Sequence, residues 1–330
     1  MDARKSLEHR ELDIRQQAPV QLDSIRTDFS GAHRIRDGIV RVHGSSSRLP
    51  MPWSQFTHLE FRQFNECANT CLDILAECTN LVSASFERVL PWSLAFPQGP
   101  LPTVRLEELQ VLEISFLSHP GLEKEEGAID IPMVTCCLDR LDLPALTDLN
   151  VSVGEDRAWA WSASEFRFFQ NRSPHIERLQ LAGFNFTETD VEFLLEGFPN
   201  LVDLGLSLKF EAGFANHVFS LVRNLLPRLR RFSFSPFVGL HADLDESLLE
   251  GMILSRWWTL AQSQSQWDAQ VERWEFLDIR SWDMDLSKLV PCRRQQKYSK
   301  EFKARLKELR EEGLRVRVDD EWAQPNGAGA

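Results

Sequence analysis

Apolar residues recur along this chain in one frame, L-x-x-L-x-L. The segment "HIERLQL" places Ile176, Leu179 and Leu181 in that frame, and "NLVDLGL" repeats it about 25 residues later. The last two apolar residues of each frame alternate with polar ones, which is typical of a β-strand with one buried face. A unit that returns at this interval indicates a repeat protein.

Eight copies of the frame can be found in the sequence. They are Phe56/Leu59/Phe61, Leu81/Ala84/Phe86, Leu109/Leu112/Ile114, Leu146/Leu149/Val151, Ile176/Leu179/Leu181, Leu201/Leu204/Leu206, Leu229/Phe232/Phe234 and Val271/Trp274/Phe276. The alternating segment "GLRVRV" predicts a last strand, and "IVRVHG" predicts a degenerate strand near the N-terminus. The longer intervals between copies contain prolines and glycines, which indicate inserted loops.

Helical patterns lie between the frames. Asn69 to Cys78 carries apolar residues at helical spacing, and several polar residues are placed to begin or end a helix. The predicted signals are Thr187 with Asp190, Ser162 with Glu165, Asp245 with Glu246, and Ser299, which precedes a helix with Phe302, Leu306 and Leu309 on one face and Gly313 at its end. Strands alternating with helices predict a parallel sheet with right-handed crossovers.

One strand with a one-faced helix cannot bury its apolar side, but stacked copies can. The sequence therefore predicts an α/β leucine-rich-repeat solenoid with irregular repeats, in which a curved parallel sheet carries helices on its convex side. We expect this domain to span residues 51–320. Residues 1–50 are predicted to be a poorly defined or capping segment, and residues 321–330 a disordered tail.

Composition narrows the function classes. The net charge of -12 disfavours nucleic acid and anionic membranes as partners, and 43% hydrophobic with 26% charged residues is typical of a soluble globular protein. No apolar run reaches the roughly 18 residues that a membrane helix needs. The charged N-terminus lacks a signal-peptide pattern, so a cytoplasmic or nuclear location with reduced cysteines is expected.

Motifs for catalysis are not found. The chain has no His-Glu-x-x-His, no Gly-Lys pair for a phosphate-binding loop and no nucleophile elbow, so we predict a protein that is not an enzyme and uses no cofactor. Cys67, Cys71 and Cys78 fall on one predicted helix and could offer thiolates to zinc. A structural zinc site needs four ligands, so core packing is the favoured interpretation for these cysteines and for Cys136 and Cys137.

Two further clusters have competing interpretations. Trp257, Trp258, Trp267, Trp274 and Trp282 could anchor a bound protein, but we favour a role in closing the end of the core. From Arg293 to Arg310 basic residues outnumber acidic ones, which could indicate an anionic ligand. A solvated helix face is the favoured interpretation of that segment.

The polar positions between the frame residues form the candidate binding surface, because they point away from the predicted core. They are His58, Glu60, Arg62, Glu113, Asn150, Arg178, Gln180, Asp203, Arg231 and Glu275. Their mixed charge is typical of a protein-protein interface, whereas a small-molecule pocket is mostly apolar. We therefore predict a protein substrate of unknown identity as the partner.

Four phrases carry a family resemblance: "MPWSQFTHLEF", "CLDILAECTNLVSASF", "LLEGMILSRWW" and "LKELREEGLRVRV". Over residues 51 to 320 the chain resembles the C-terminal leucine-rich-repeat region of F-box proteins from mushroom-forming basidiomycete fungi. The resemblance implies the substrate-binding part of a cullin-RING ubiquitin ligase subunit. Met1 to Pro50 shows no Leu-Pro-x-Glu-Ile-Leu opening of an F-box. Binding to a Skp-type adaptor is thus expected only if a longer form supplies the box, and the alternative is a repeat scaffold with no ligase role.

Overall fold

A computed structural model describes residues 12–15, 39–43, 53–62, 64, 66–90, 103–117, 133–154, 161–210, 214–238, 245–257, 272–279, 282–285, 290–293 and 298–318. The chain divides into two compact units, residues 1–176 and 177–330. Each unit contains a parallel sheet and helices, which confirms the predicted mixed α/β class. The predicted tail at residues 321–330 lies outside the described residues, and the predicted domain bounds stay a prediction.

The first unit is built on a parallel sheet. Its elements are β1 (Leu12–Arg15), β2 (Ile39–His43), a 3-10 turn (Trp53–Gln55), β3 (His58–Arg62), α1 (Ala68–Glu77), β4 (Ser83–Val89), β5 (Val104–Arg105), β6 (Val111–Phe116), α2 (Met133–Leu138), β7 (Leu141–Asp142), β8 (Asp148–Val153) and α3 (Ala163–Arg172). The strand order is β1-β2-β3-β4-β6-β8, and β5 pairs with β7 in a small parallel sheet of their own. The strand predicted in "IVRVHG" is confirmed as β2.

The second unit repeats this alternation and adds a hairpin. Its elements are β9 (Arg178–Asn185), α4 (Glu188–Glu196), β10 (Asp203–Phe210), α5 (Phe214–Leu225), β11 (Arg231–Val238), α6 (Glu246–Leu254), β12 (Phe276–Ile279), β13 (Trp282–Asp285), β14 (Val290–Arg293), α7 (Lys300–Glu311) and β15 (Arg315–Val318). The parallel order is β9-β10-β11-β12-β15. The antiparallel pair of β13 and β14 was not predicted.

The predicted helix signals are confirmed. Thr187 and Asp190 form a reciprocal capping box at the start of α4: the Asp190 N–H donates to Thr187 Oγ1 at 3.2 Å, and the Thr187 N–H donates to Asp190 Oδ2 at 2.9 Å. Ser162, Asp245 and Ser299 cap α3, α6 and α7 through their side-chain oxygens. These contacts satisfy N–H groups that the first helical turn leaves without partners.

Gly313 ends α7 with a φ of +103°, a left-handed conformation that glycine adopts without steric cost. Phe302, Leu306 and Leu309 are buried on one face of that helix, as predicted. None of the helices in the described ranges is long and apolar enough to cross a membrane.

Frame residues align across neighbouring strands. In the first unit Phe61 is in register with Phe86, Phe86 with Ile114, and Ile114 with Val151, and all four are buried. The corresponding row of the second unit is Leu181, Leu206, Phe234, Ile279 and Val318. The helices cover this face, as the edge contact between Phe219 of α5 and Phe234 of β11 illustrates.

The frame predicted at Val271, Trp274 and Phe276 is wrong by three residues. Phe232 pairs with Leu277 and Phe234 with Ile279, so the frame in this copy is Trp274, Leu277 and Ile279. The segment "WEFLDI" carries apolar residues on both faces of the strand, and alternation alone could not fix its register. Val271 lies outside the described residues.

Candidate functional site

The sheet face opposite the frame residues is named here the open face of each unit. Side chains alternate across a strand, so the residues between the frame positions point away from the helices. In the first unit one row of this face joins Glu60, Ser85, Glu113 and Asn150 in register. Three of these were predicted as binding residues: the fold places Glu113 beside Asn150, and Ser85 separates Glu113 from Glu60.

Polar contacts organise this row. Ser85 Oγ donates to Glu113 Oε2 at 3.2 Å, and Arg62 Nε donates to Glu60 Oε1 at 2.6 Å. His58 lies at the start of β3, where its Nδ1 is 3.0 Å from Thr57 Oγ1. Glu113 and Asn150 are exposed, so their oxygens remain accessible to a partner.

A hollow of about 330 Å³ lies over the same strands. It is lined by Ser85, Phe86, Glu87, Arg88, Glu113, Ile114, Ser115, Asn150 and Ser152. Arg88 sits where β4 shifts register against β6, with a φ of +66°, which is unusual for a residue with a Cβ. The hollow therefore mixes polar and apolar lining and carries charges of both signs, unlike the mostly apolar pockets that hold small molecules.

The open face of the second unit carries a different row. Arg178, Asp203, Arg231, Phe276 and Arg315 follow one another in register on five neighbouring strands. Asp203 Oδ2 lies 3.3 Å from Arg231 Nε, and Gln180 Nε2 donates to Asp203 Oδ1 at 3.4 Å. Burial raises the pKa of Asp203, against the opposing effect of Arg231 and Arg178.

Gly205 makes room for that contact. A Cβ at this position would lie 1.6 Å from Gln180 Oε1, so the absence of a side chain lets Gln180 lie across β10 toward Asp203. On the neighbouring strands, the Arg317 guanidinium lies 5.6 Å from the centre of the Phe276 ring. The open face of the second unit therefore carries more arginines than carboxylates, together with one half-buried aromatic ring.

Not every predicted binding residue joins a row. Glu275 precedes β12, and its carboxylate lies 3.4 Å from Arg230 Nη1. The residue in register with Arg231 is Phe276. The row residues that sequence reasoning missed are Ser85, Phe276 and Arg315, and Arg317 is a further open-face residue that it missed. The alternation in "GLRVRV" was a usable signal for the two arginines, because it placed both on the face opposite the valines.

Core packing is confirmed for three of the five cysteines for which it was predicted, whereas Cys67 and Cys136 are half-buried. Cys71, Cys78 and Cys137 are buried, and burial raises the pKa of Cys78 and of Cys137 to about 12. The pKa of Cys71 is also raised, chiefly by burial. Thiols held in the neutral form are poor nucleophiles and poor metal ligands. In the described ranges no group of three or more His, Cys, Asp or Glu residues is arranged to hold a metal ion.

We expect Cys71, Cys78 and Cys137 to resist alkylation in the native protein. Iodoacetamide reacts with the thiolate, which burial disfavours at all three positions. Peptide mass spectrometry after brief treatment at pH 8 should find them unmodified, and the same treatment in urea should modify all three. Rapid native modification of Cys71 would contradict the packing of α1 against the sheet.

Trp257 and Trp274 agree with a packing role. Trp274 is 2% exposed, and Trp257 is 8% exposed with its Nε1 donating to Glu312 Oε2 at 2.8 Å. Trp258 and Trp267 lie outside the described residues. On α7 the ion pairs of Arg305 with Glu308 and of Lys307 with Glu311 agree with a solvated helix face.

Comparison with known proteins assigns this chain to no family. No family model matches the chain, and no curated protein matches it. The class that the geometry defines is an α/β protein with polar side chains on the open faces of its sheets.

Proposed function

We propose that this chain is a protein-binding module that holds a partner across the open faces of its sheets. The observation that carries the proposal is the register alignment of polar side chains, such as Glu60, Glu113 and Asn150, into continuous accessible rows. Mixed charge and a shallow polar surface suit a protein partner better than a small molecule. The proposed role is recognition without catalysis.

The finer fold we propose is an irregular leucine-rich-repeat solenoid with the helices on its convex side. A recurring backbone contact supports it: before six of the described strands, one carbonyl accepts two successive N–H groups from the next copy. Thr57 O accepts from Val82 and Ser83 at 2.7 and 3.1 Å, and Val202 O accepts from Arg230 and Arg231 at 2.9 and 3.0 Å. Such nearest-neighbour bonding is what stacked repeats require.

By resemblance to fungal F-box proteins, we propose that the partner is a substrate for ubiquitin transfer. In that arrangement an F-box docks on a Skp-type adaptor while the repeats hold the substrate. Residues 1–50 show no F-box motif, so adaptor binding is proposed only for a form of the protein that carries one. Without that link the same face would serve a repeat scaffold.

Site-directed photo-crosslinking tests the recognition proposal. A photoreactive amino acid at Ser85 or Ser233, both on the open faces, is expected to crosslink the same partner in cell extract. Asn171 on α3 and Glu192 on α4 are exposed control positions on helices. Excess unlabelled protein should compete the crosslinks away. Crosslinks that arise only from the two helical positions would overturn the proposal.

The ligase role needs a separate test. Fusing an F-box to the N-terminus should recruit the Skp adaptor and lead to ubiquitination of the crosslinked partner. Recruitment of the adaptor without ubiquitination of that partner would leave a binding scaffold and remove the ligase assignment.

A further inference from the structure

We propose that the second unit recognises an acidic peptide segment of its partner, with a carboxylate at every third residue. The binding element is the arginine row, defined as Arg178, Arg231 and Arg315 on the open face. This inference rests on the proposed protein-recognition function and names the chemistry of the partner.

Sheet geometry spaces the arginine row evenly. Arg178 lies on β9, Arg231 on β11 and Arg315 on β15, with Asp203 and Phe276 occupying the strands between them. Neighbouring strands are about 4.8 Å apart, so successive arginines of the row are about 10 Å apart. The row thus offers three cationic positions at a regular interval.

The row is accessible and cationic. All three arginines are exposed, and the described part of the chain gives Arg315 no ion pair. The Asp203 carboxylate lies 3.3 Å from Arg231 Nε and also interacts electrostatically with Arg178, but 45% of the Arg231 side chain is exposed against 19% for Asp203. Arg317 is also exposed and lies beside Phe276, in register with the buried Asp278.

Charge complementarity selects an acidic peptide. Guanidinium groups bind carboxylates in a bidentate geometry, which gives strong and directional contacts. A long polyanion such as nucleic acid would meet the repulsion of a chain whose net charge is -12. A short acidic segment can contact the row while the rest of the partner stays away from the negative surface.

Spacing then selects the peptide conformation. A polyproline II helix has three residues per turn and rises about 3.1 Å per residue, so carboxylates three residues apart lie on one side about 9 Å apart. In a β-strand, residues three apart point to opposite sides. The half-buried ring of Phe276, between Arg231 and Arg315, offers an apolar contact for a proline between the acidic residues.

Fluorescence anisotropy with the full chain and two synthetic peptides tests this inference. One peptide repeats Glu-Pro-Pro, and the other has the same composition with its glutamates contiguous. We expect the spaced peptide to bind about tenfold more tightly, and Arg315→Gln to weaken it about tenfold. Its affinity should fall as salt rises, because the contacts are ionic and exposed. The control is Arg223→Gln, an exposed arginine on α5, which should change nothing.

Equal binding of the two peptides, or equal losses in Arg315→Gln and Arg223→Gln, would overturn the inference. Circular dichroism of each variant checks that the fold is kept. The photo-crosslinking experiment distinguishes failure of the acidic-peptide inference from failure of the protein-recognition proposal. If the partner still crosslinks at Ser233 but binds Arg315→Gln as well as the original chain, only the acidic-peptide inference fails. If no partner crosslinks from the open faces, the recognition proposal itself fails.

Discussion

Replacing Phe61 by alanine is expected to lower the free energy of unfolding of the first unit by about 3–5 kcal/mol. Phe61 is 0% exposed, and its ring packs against three other aromatic rings. The ring centroid lies 5.0 Å from that of Phe64, 5.1 Å from that of Phe86 and 6.2 Å from that of Trp53. Alanine would leave a cavity among rings that are fixed by β3, β4 and the preceding turn.

Urea denaturation followed by circular dichroism measures this loss. Phe168→Ala is the matched control, because its ring is 60% exposed on α3 in the same unit and should change stability by no more than about 0.5 kcal/mol. Phe61→Leu, which keeps most of the buried volume, should fall between the two. Similar denaturation midpoints for Phe61→Ala and Phe168→Ala would contradict the core described here.

Local signals explain why much of the fold could be predicted. A capping box such as Thr187 with Asp190 acts within four residues, so the sequence contains both partners. The alternation of apolar and polar residues predicts a strand equally well where only one face is apolar, as in "RLQL" around Leu179 and Leu181. These elements depend on neighbours in sequence, and the structure confirms them.

Register between strands could not be predicted in the same way, because it depends on residues far apart in the chain. Trp274, Phe276 and Leu277 are all apolar, and only pairing with β11 shows that Phe276 faces outward. Sequence reasoning found Arg178 and Arg231 but missed Arg315, because strand pairing decides which residues complete the arginine row. Arg315 becomes a neighbour of Phe276 through pairing of β15 with β12.

Arg256 is the clearest residue that sequence reasoning missed. A charged residue in "LSRWW" suggests the surface, yet Arg256 is 1% exposed at the end of α6. Burial lowers the pKa of its guanidinium to about 10, so the group still carries its charge at neutral pH. The partners that make this burial tolerable are backbone carbonyls more than 25 residues away, which no local pattern reveals.

Those carbonyls come from two elements of the second unit. Arg256 Nη2 donates to Val222 O at 2.6 Å and to Arg223 O at 3.2 Å, in the last turn of α5, where the helix dipole favours a cation. Arg256 Nη1 donates to Leu229 O at 3.3 Å, just before β11, and the guanidinium lies 5.0 Å from the centre of the Trp274 ring. Arg256 therefore links α5, the start of β11 and the start of β12.

We expect Arg256→Ala to lower the free energy of unfolding of the second unit by about 3–5 kcal/mol. The change removes a buried side chain and its contact with Trp274, and it leaves the carbonyls of Val222 and Leu229 without their donor. Arg256→Lys should recover part of the loss, because one ammonium cannot reach all the carbonyls that the guanidinium contacts. Urea denaturation of both variants, followed by circular dichroism, measures the difference.

Arg223→Ala provides the control for that experiment, because its exposed side chain lies on the same α5 turn while its carbonyl still accepts from Arg256. Its stability should stay within about 0.5 kcal/mol of the original. If Arg256→Ala is no more destabilising than Arg223→Ala, the guanidinium does not hold α5 to the sheet. A large loss of stability in Arg256→Ala would instead show that this side chain holds α5, β11 and β12 together. The arginine row depends on that junction, because Arg231 and Phe276 follow directly after the segments that Arg256 contacts.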